Sequence, residues 1–163
     1  MVRKLVSPPW NLVVSDRVVR TIQRCSNKVY PLETMGALYR SEYVDEVSVC
    51  LCVPPGKNST HELNTTYVDE DFWDRWTKRL CDKGFVYVGP WHTHPGQKKP
   101  LPSDWDLNGH LEYGGYGWCR WDQKEFGGNG HFQLIAGDLC MRMWYVRPDS
   151  IELIWENDIG IKR

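Results

Sequence analysis

The sequence predicts a mixed α/β fold of the α+β kind, with a largely antiparallel sheet flanked by helices. Three observations predict it. The elements read in the order helix, strands, helix, strand, helix, strands. Strict alternation of strand and helix, the mark of a doubly wound parallel sheet, is absent. The 163 residues match one domain with one core, so the whole span 1–163 is read as a single domain.

The elements follow from periodicity and turn chemistry. Val18, Val19, Ile22 and Cys25 recur at helical spacing after Asp16, which is read as the N-cap. This helix should run about three turns and end near Asn27 and Pro31. Met35 to Tyr39 reads as a short buried strand, and Glu46 to Val53 as a second that stops at Pro54-Pro55-Gly56. The polar stretch from Lys57 to Thr66 reads as a loop. Asp69 opens a second helix whose apolar face is Phe72, Trp76 and Leu80, with Gly84 closing it. Phe85 to Trp91 is rich in strand formers. A proline-rich loop leads to Pro102. Ser103 then caps a helix reaching about Tyr113, with Asp106 completing a capping box. A Gly- and Trp-rich stretch spans residues 114–130. Phe132–Ala136, Leu139–Val146 and Ile151–Trp155 read as late strands.

Charge and composition narrow the function classes. The net charge is −1 and no basic block or stripe is visible, which argues against nucleic acid as a partner. No apolar run reaches membrane-spanning length, so no membrane partner is expected. The first ten residues are charged but lack the apolar core of a signal peptide, so a cytoplasmic location is expected. Six cysteines are therefore expected as thiols. Cys50 and Cys52 sit two apart in a strand-like run, but no second close pair completes a four-thiolate zinc site.

The chemistry concentrates in Trp91-His92-Thr93-His94-Pro95 and, after a short loop, Ser103-Asp104-Trp105-Asp106. Residues two apart in an extended strand share a side, so His92 and His94 can reach one ion. Pro95 turns the chain away. Asp106, in the first turn of a capped helix, stays ionised beside the helix dipole. Two imidazoles and one carboxylate suit a catalytic zinc with a position left for water. A general base must stand near without ligating, and Glu33, at the mouth of an apolar strand, is the residue chosen. His110 lies four residues after Asp106 and is a further ligand only if it is more than a helix neighbour. Asp104 reads as a helix-dipole carboxylate.

These residues resemble the JAMM metalloprotease family, also called JAB/MPN, and in particular its prokaryotic deubiquitinase-like members. The family pattern is a distant Glu, then His-x-His-Pro, then Ser-x-x-Asp. Here it reads Glu33, His92-Thr93-His94-Pro95 and Ser103-Asp104-Trp105-Asp106. Thr34-Met35-Gly36 stands where many prokaryotic members have Thr-Gly-Gly. The resemblance implies a cytidine-deaminase-like fold and one catalytic Zn2+ held by His92, His94 and Asp106. It implies Glu33 as general base and Ser103 as hydrogen-bond donor to the scissile oxyanion. It implies hydrolysis of a peptide or isopeptide bond next to a ubiquitin-like modifier, with that modifier or its conjugates as substrate. Two other readings belong to different classes: a JAMM hydrolase of a small substrate, such as a sulfur-carrier adduct or a cell-wall peptide, and a non-enzymatic MPN scaffold. Oligomeric state is not readable from the sequence.

Overall fold

The computed structural model describes residues 12–43, 48–104, 106, 131–146 and 150–161. Its elements are β1 (Val13–Val14), α1 (Asp16–Val29), β2 (Met35–Ser41), β3 (Ser48–Val53), β4 (Thr60–His61), β5 (Thr66–Tyr67), α2 (Glu70–Cys81), β6 (Phe85–Thr93), β7 (His131–Ala136), β8 (Met141–Val146) and β9 (Ile151–Asn157). Seven strands form one sheet in the order β1-β3-β2-β6-β7-β8-β9, and β4 pairs with β5 in a separate small hairpin. The β2–β3, β2–β6, β7–β8 and β8–β9 pairs are antiparallel. The β1–β3 and β6–β7 pairs are parallel. The largely antiparallel sheet expected from the sequence is present.

The alternation of side chains along β2 explains how the helices are placed. Leu38 packs with Val18, Val19 and Ile22 of α1 in one cluster. Its neighbours Ala37 and Tyr39 pack with Trp73 and Leu80 of α2 in another. Successive strand residues point to opposite faces, so α1 and α2 cover opposite faces of the sheet. That is why Gly36 through Arg40 are all buried. A strand covered on both faces reads as an unbroken apolar run rather than an alternating one.

Several expected boundaries shift, each for a local reason. The N-cap of α1 is Ser15, whose Oγ accepts a hydrogen bond from the Val18 amide at 3.4 Å, while Asp16 lies in the first turn. The helix passes through Asn27 and ends when Tyr30 N–H bonds the Ser26 carbonyl. In α2 the buried residues are Trp73 and Leu80, and Trp76 is 37% exposed, so the expected face of Phe72, Trp76 and Leu80 is rotated. Trp73 anchors that rotation by donating its indole N–H to the Pro54 carbonyl at 3.0 Å. Gly84 does close this region, with φ of 76° and its N–H on the Cys81 carbonyl. The stretch read as a loop from Lys57 to Thr66 contains the β4–β5 hairpin, whose two-residue strands are too short to leave a periodic signal. Val13–Val14 escaped for the same reason. β6 runs to Thr93 and therefore contains His92.

Cys25, Cys50, Cys52, Cys81 and Cys140 are free thiols in the structure, and Cys119 lies outside the described residues. Most of the helix expected from Ser103, including Trp105 and His110, and all of 114–130 also lie outside them. Among the described residues no helix is long and apolar enough to cross a membrane.

Candidate metal centre

The sheet delivers the two histidines. β6 is held on one side by antiparallel β2, with Met35 opposite His92, and on the other by parallel β7, with Ile135 opposite His92. Thr93, fully buried, faces away from the site and bridges back to β2. Its amide donates to the Thr34 carbonyl at 3.0 Å, and its Oγ1 accepts from the Thr34 amide at 2.9 Å. His94 stands just past β6, yet its amide still bonds Ala136 of β7 at 2.9 Å. The chain then turns away through Gly96, whose φ of 88° suits glycine and whose N–H bonds the Asp138 carboxylate at 3.0 Å. The i, i+2 pair thus emerges on one side of the strand, as the spacing implied, with ring centroids 4.8 Å apart.

Asp106 arrives from a different element. Residues 104 and 106 have helical backbone, and Ser103 forms the expected capping box with Asp106. The Ser103 amide donates to Asp106 Oδ2 at 2.7 Å, and the Asp106 amide donates to Ser103 Oγ at 3.2 Å. The Ser103 hydroxyl also donates to Asp106 Oδ2 at 2.8 Å. A carboxylate fixed this way has few rotamers left. It lies 7% exposed, with Oδ1 at 3.1 Å from His92 Nε2 and Oδ2 at 3.4 Å from His94 Nε2.

The two imidazole Nε2 atoms stand 3.1 Å apart. Two neutral rings directing lone pairs at one point repel each other unless a proton or a cation sits between them. One ligand atom from each of His92, His94 and Asp106 lies within 4.8 Å of the others, so this group, among the described residues, could hold a cation. Mixed nitrogen and carboxylate donors in this number suit a borderline divalent ion with coordination positions to spare. The His94 Nδ1 is buried with no hydrogen-bond partner among the described residues.

Glu33 sits two residues before β2 and is half-buried. Three contacts from or beside the β4–β5 hairpin hold its backbone. Its amide donates to the Glu62 carbonyl at 2.8 Å, and its carbonyl accepts from Thr66 Oγ1 at 2.8 Å and from His61 Nδ1 at 3.0 Å. Nothing in the sequence marks His61 or Thr66, because their partner is a main-chain oxygen that any residue would supply.

The charges of the site act on one another. Burial raises the Glu33 carboxyl above its ordinary value; His92 and His94 pull it down, and the Asp106 charge adds to the rise. Burial would lower His94, but its hydrogen bond to Asp106 and the charges of Asp106 and Glu33 outweigh that and raise it. Burial would raise Asp106, but His92, His94 and the Ser103 amide outweigh it and hold the carboxyl well below the usual carboxylate range. Glu33 is thus the carboxyl that takes a proton easily, and Asp106 is the one that stays ionised.

Fold and cluster together define an α/β domain with a two-histidine, one-carboxylate group that could hold a cation at the end of β6. A family model described as prokaryotic homologs of the JAB domain matches residues 15–145, and the chain belongs to that family. Its fold is the JAB/MPN fold. Protein DSY2949 from Desulfitobacterium hafniense, solved in solution, superposes with a TM-score of 0.61 at 16% identity, over 91% of this chain and 90% of that one. A JAB1/MPN domain protein from Archaeoglobus fulgidus aligns over 91% of this chain and 95% of its own, with 14% identity and a TM-score of 0.45. No curated protein matches the sequence significantly.

Proposed function

We propose that this chain is a zinc-dependent peptidase or isopeptidase that removes a ubiquitin-like modifier from its target or processes the modifier's C-terminus. One observation carries the reading. His92, His94 and Asp106 converge within ligand distance of one another, and Glu33, a carboxyl of raised pKa, is close enough to feel all three charges. A structural ion pair has no need of the fourth group, whereas hydrolysis does.

His92, His94 and Asp106 would hold the zinc. A zinc ion there supplies Lewis acidity to polarise a carbonyl and to make water nucleophilic near neutral pH. Glu33 accepts a proton from the attacking water on its carboxylate and passes it to the departing amine. The hairpin contacts at its main chain hold that carboxylate at a fixed distance from the reacting atoms. Ser103 serves twice. Its hydroxyl now orients Asp106, and a rotation about χ1 turns the same proton toward the oxygen of the scissile carbonyl. Losing such a donor costs about 3–4 kcal/mol of transition-state stabilisation in other hydrolases.

The first test measures zinc in purified wild type and His94→Ala by elemental analysis. About one zinc per chain in wild type, lost in the variant, supports the site. A zinc-free wild type after reconstitution overturns it and favours a scaffold. The second test uses Glu33→Ala, which keeps the ligands, as bait in lysate. A captured modifier ending in glycine, cleaved by wild type and not by the variant, supports the substrate class. Unchanged cleavage by the variant refutes the role of Glu33.

A further inference from the structure

A second site lies away from the histidines, along α1. Arg17, Arg20 and Arg24, spaced three and four residues apart, are exposed and share the wall of a cleft of about 820 Å3 with Thr21 and Asn27. Its lining includes Leu51 and Cys52 of β3. Among the described residues no carboxylate lines it, in a chain whose net charge is −1. The basic stripe that the sequence did not display is therefore present. Helical spacing scatters it among apolar residues, so no run appears along the chain.

The floor of this cleft belongs to an incompletely paired strand. On the outer side of β3, β1 matches only Ser48 and Val49, after which Ser15 Oγ takes the Cys50 carbonyl at 3.5 Å. Among the described residues no strand pairs with that edge at Leu51 and Cys52. A strand edge with free main-chain groups is a template for an added extended segment.

We infer that this cleft binds an extended acidic peptide segment of a partner protein, which adds to the outer edge of β3 and places its carboxylates on Arg17, Arg20 and Arg24. The open edge asks for a peptide main chain rather than a compact anion. Cys52, which packs on the α1 side of the sheet, offers an apolar floor for the side chains turned toward α1. Among the described residues the lining holds no aromatic ring on which a base could stack, which disfavours single-stranded nucleic acid. Among segments outside the described residues, 1–11 carries Arg3 and Lys4 and no acid, so it is a poor electrostatic match for three guanidiniums. The binding does not depend on zinc or on Glu33, so it stands or falls separately from the hydrolase reading.

The test uses the full chain and a fluorescein-labelled peptide of alternating Glu and Val, followed by fluorescence anisotropy. Two control peptides carry Gln for every Glu, or Pro for alternate Val. The expected result is saturable binding that falls about tenfold or more in Arg20→Glu/Arg24→Glu and weakens as salt rises. Both control peptides should bind at least about tenfold more weakly, the first for lack of charge and the second for lack of main-chain donors. Circular dichroism and melting of the variant should match wild type, because both arginines are exposed. Equal binding of the Gln peptide overturns the charge match. Equal binding of the Pro peptide, with displacement by inorganic pyrophosphate, means a compact anion site. Absence of saturable binding, as when a segment of this chain already fills the cleft, refutes the proposal.

Discussion

Gly36→Ala tests whether one contact sets both the stability of the sheet and the position of the histidines. Gly36 lies on β2 opposite Trp91, the residue before His92. The Trp91 indole crosses over Gly36 and donates its N–H to the Val53 carbonyl of β3 at 3.2 Å, fully buried. A Cβ at position 36 would overlap both the Val53 carbonyl and the indole nitrogen. Neither can yield cheaply, since one is main chain and the other is a packed ring. Overpacking costs about 1–3 kcal/mol. Leaving the buried indole N–H and carbonyl unpaired adds about 1–3 kcal/mol. The variant should thus lose about 2–6 kcal/mol in urea denaturation of metal-free protein. Because His92 follows the displaced Trp91 directly, zinc affinity should also fall about tenfold or more in a competition titration with a chelating dye. A variant within about 0.5 kcal/mol of wild type would refute the packing argument. A destabilised variant with unchanged zinc affinity would refute the coupling of Trp91 to the site.

Three further outcomes follow from the geometry. Burial raises Glu33, so the fold favours its protonated form; that stabilisation is full below the ordinary carboxylate value and is lost as pH rises through the raised one. Metal-free Glu33→Gln should therefore melt above wild type at about pH 7, and the gap should close by about pH 4; a gap that widens toward acid contradicts the sign. Trp73→Ala should cost about 3–5 kcal/mol, since the ring is buried and its N–H is bonded to Pro54, whereas Trp76→Ala should cost less than about 1 kcal/mol. Equal losses in denaturation would mean that α2 is rotated differently. Burial pushes the Cys52 thiol far up, while Cys81 is exposed with no such burial, so iodoacetamide followed by peptide mapping should label Cys81 in native protein and leave Cys52 unlabelled. Fast labelling of Cys52 would count against its packing beneath α1.

The site was more legible in the sequence than the architecture around it. His92, His94, Ser103 and Asp106 announce themselves because short-range geometry fixes them: two residues along a strand share a side, and three residues along a helix start close a capping box. Glu33 was legible only as a charge out of place beside an apolar run. The residues that hold it, His61 and Thr66 from the hairpin, left no trace, since each bonds a main-chain oxygen that any residue would supply. The rotation of α2 was missed because Trp73 and Trp76 are equally apolar, and only the Pro54 carbonyl decides which one turns inward. The α1 cleft was missed because its arginines meet β3 only in three dimensions.

The parallel pairing of β6 with β7 has a consequence for how such a protein can diversify. Two parallel neighbours cannot be joined by a tight turn, so the chain must leave the sheet after Thr93 and return at His131. His94, Ser103 and Asp106 all occur early in that excursion. Residues 107–130 follow Asp106 and precede β7. Doubling the length of a loop costs in general only about 0.6 kcal/mol of closure entropy. Natural variation can therefore lengthen, shorten or recompose that span while His92, His94, Asp106 and the sheet keep their places in the chain.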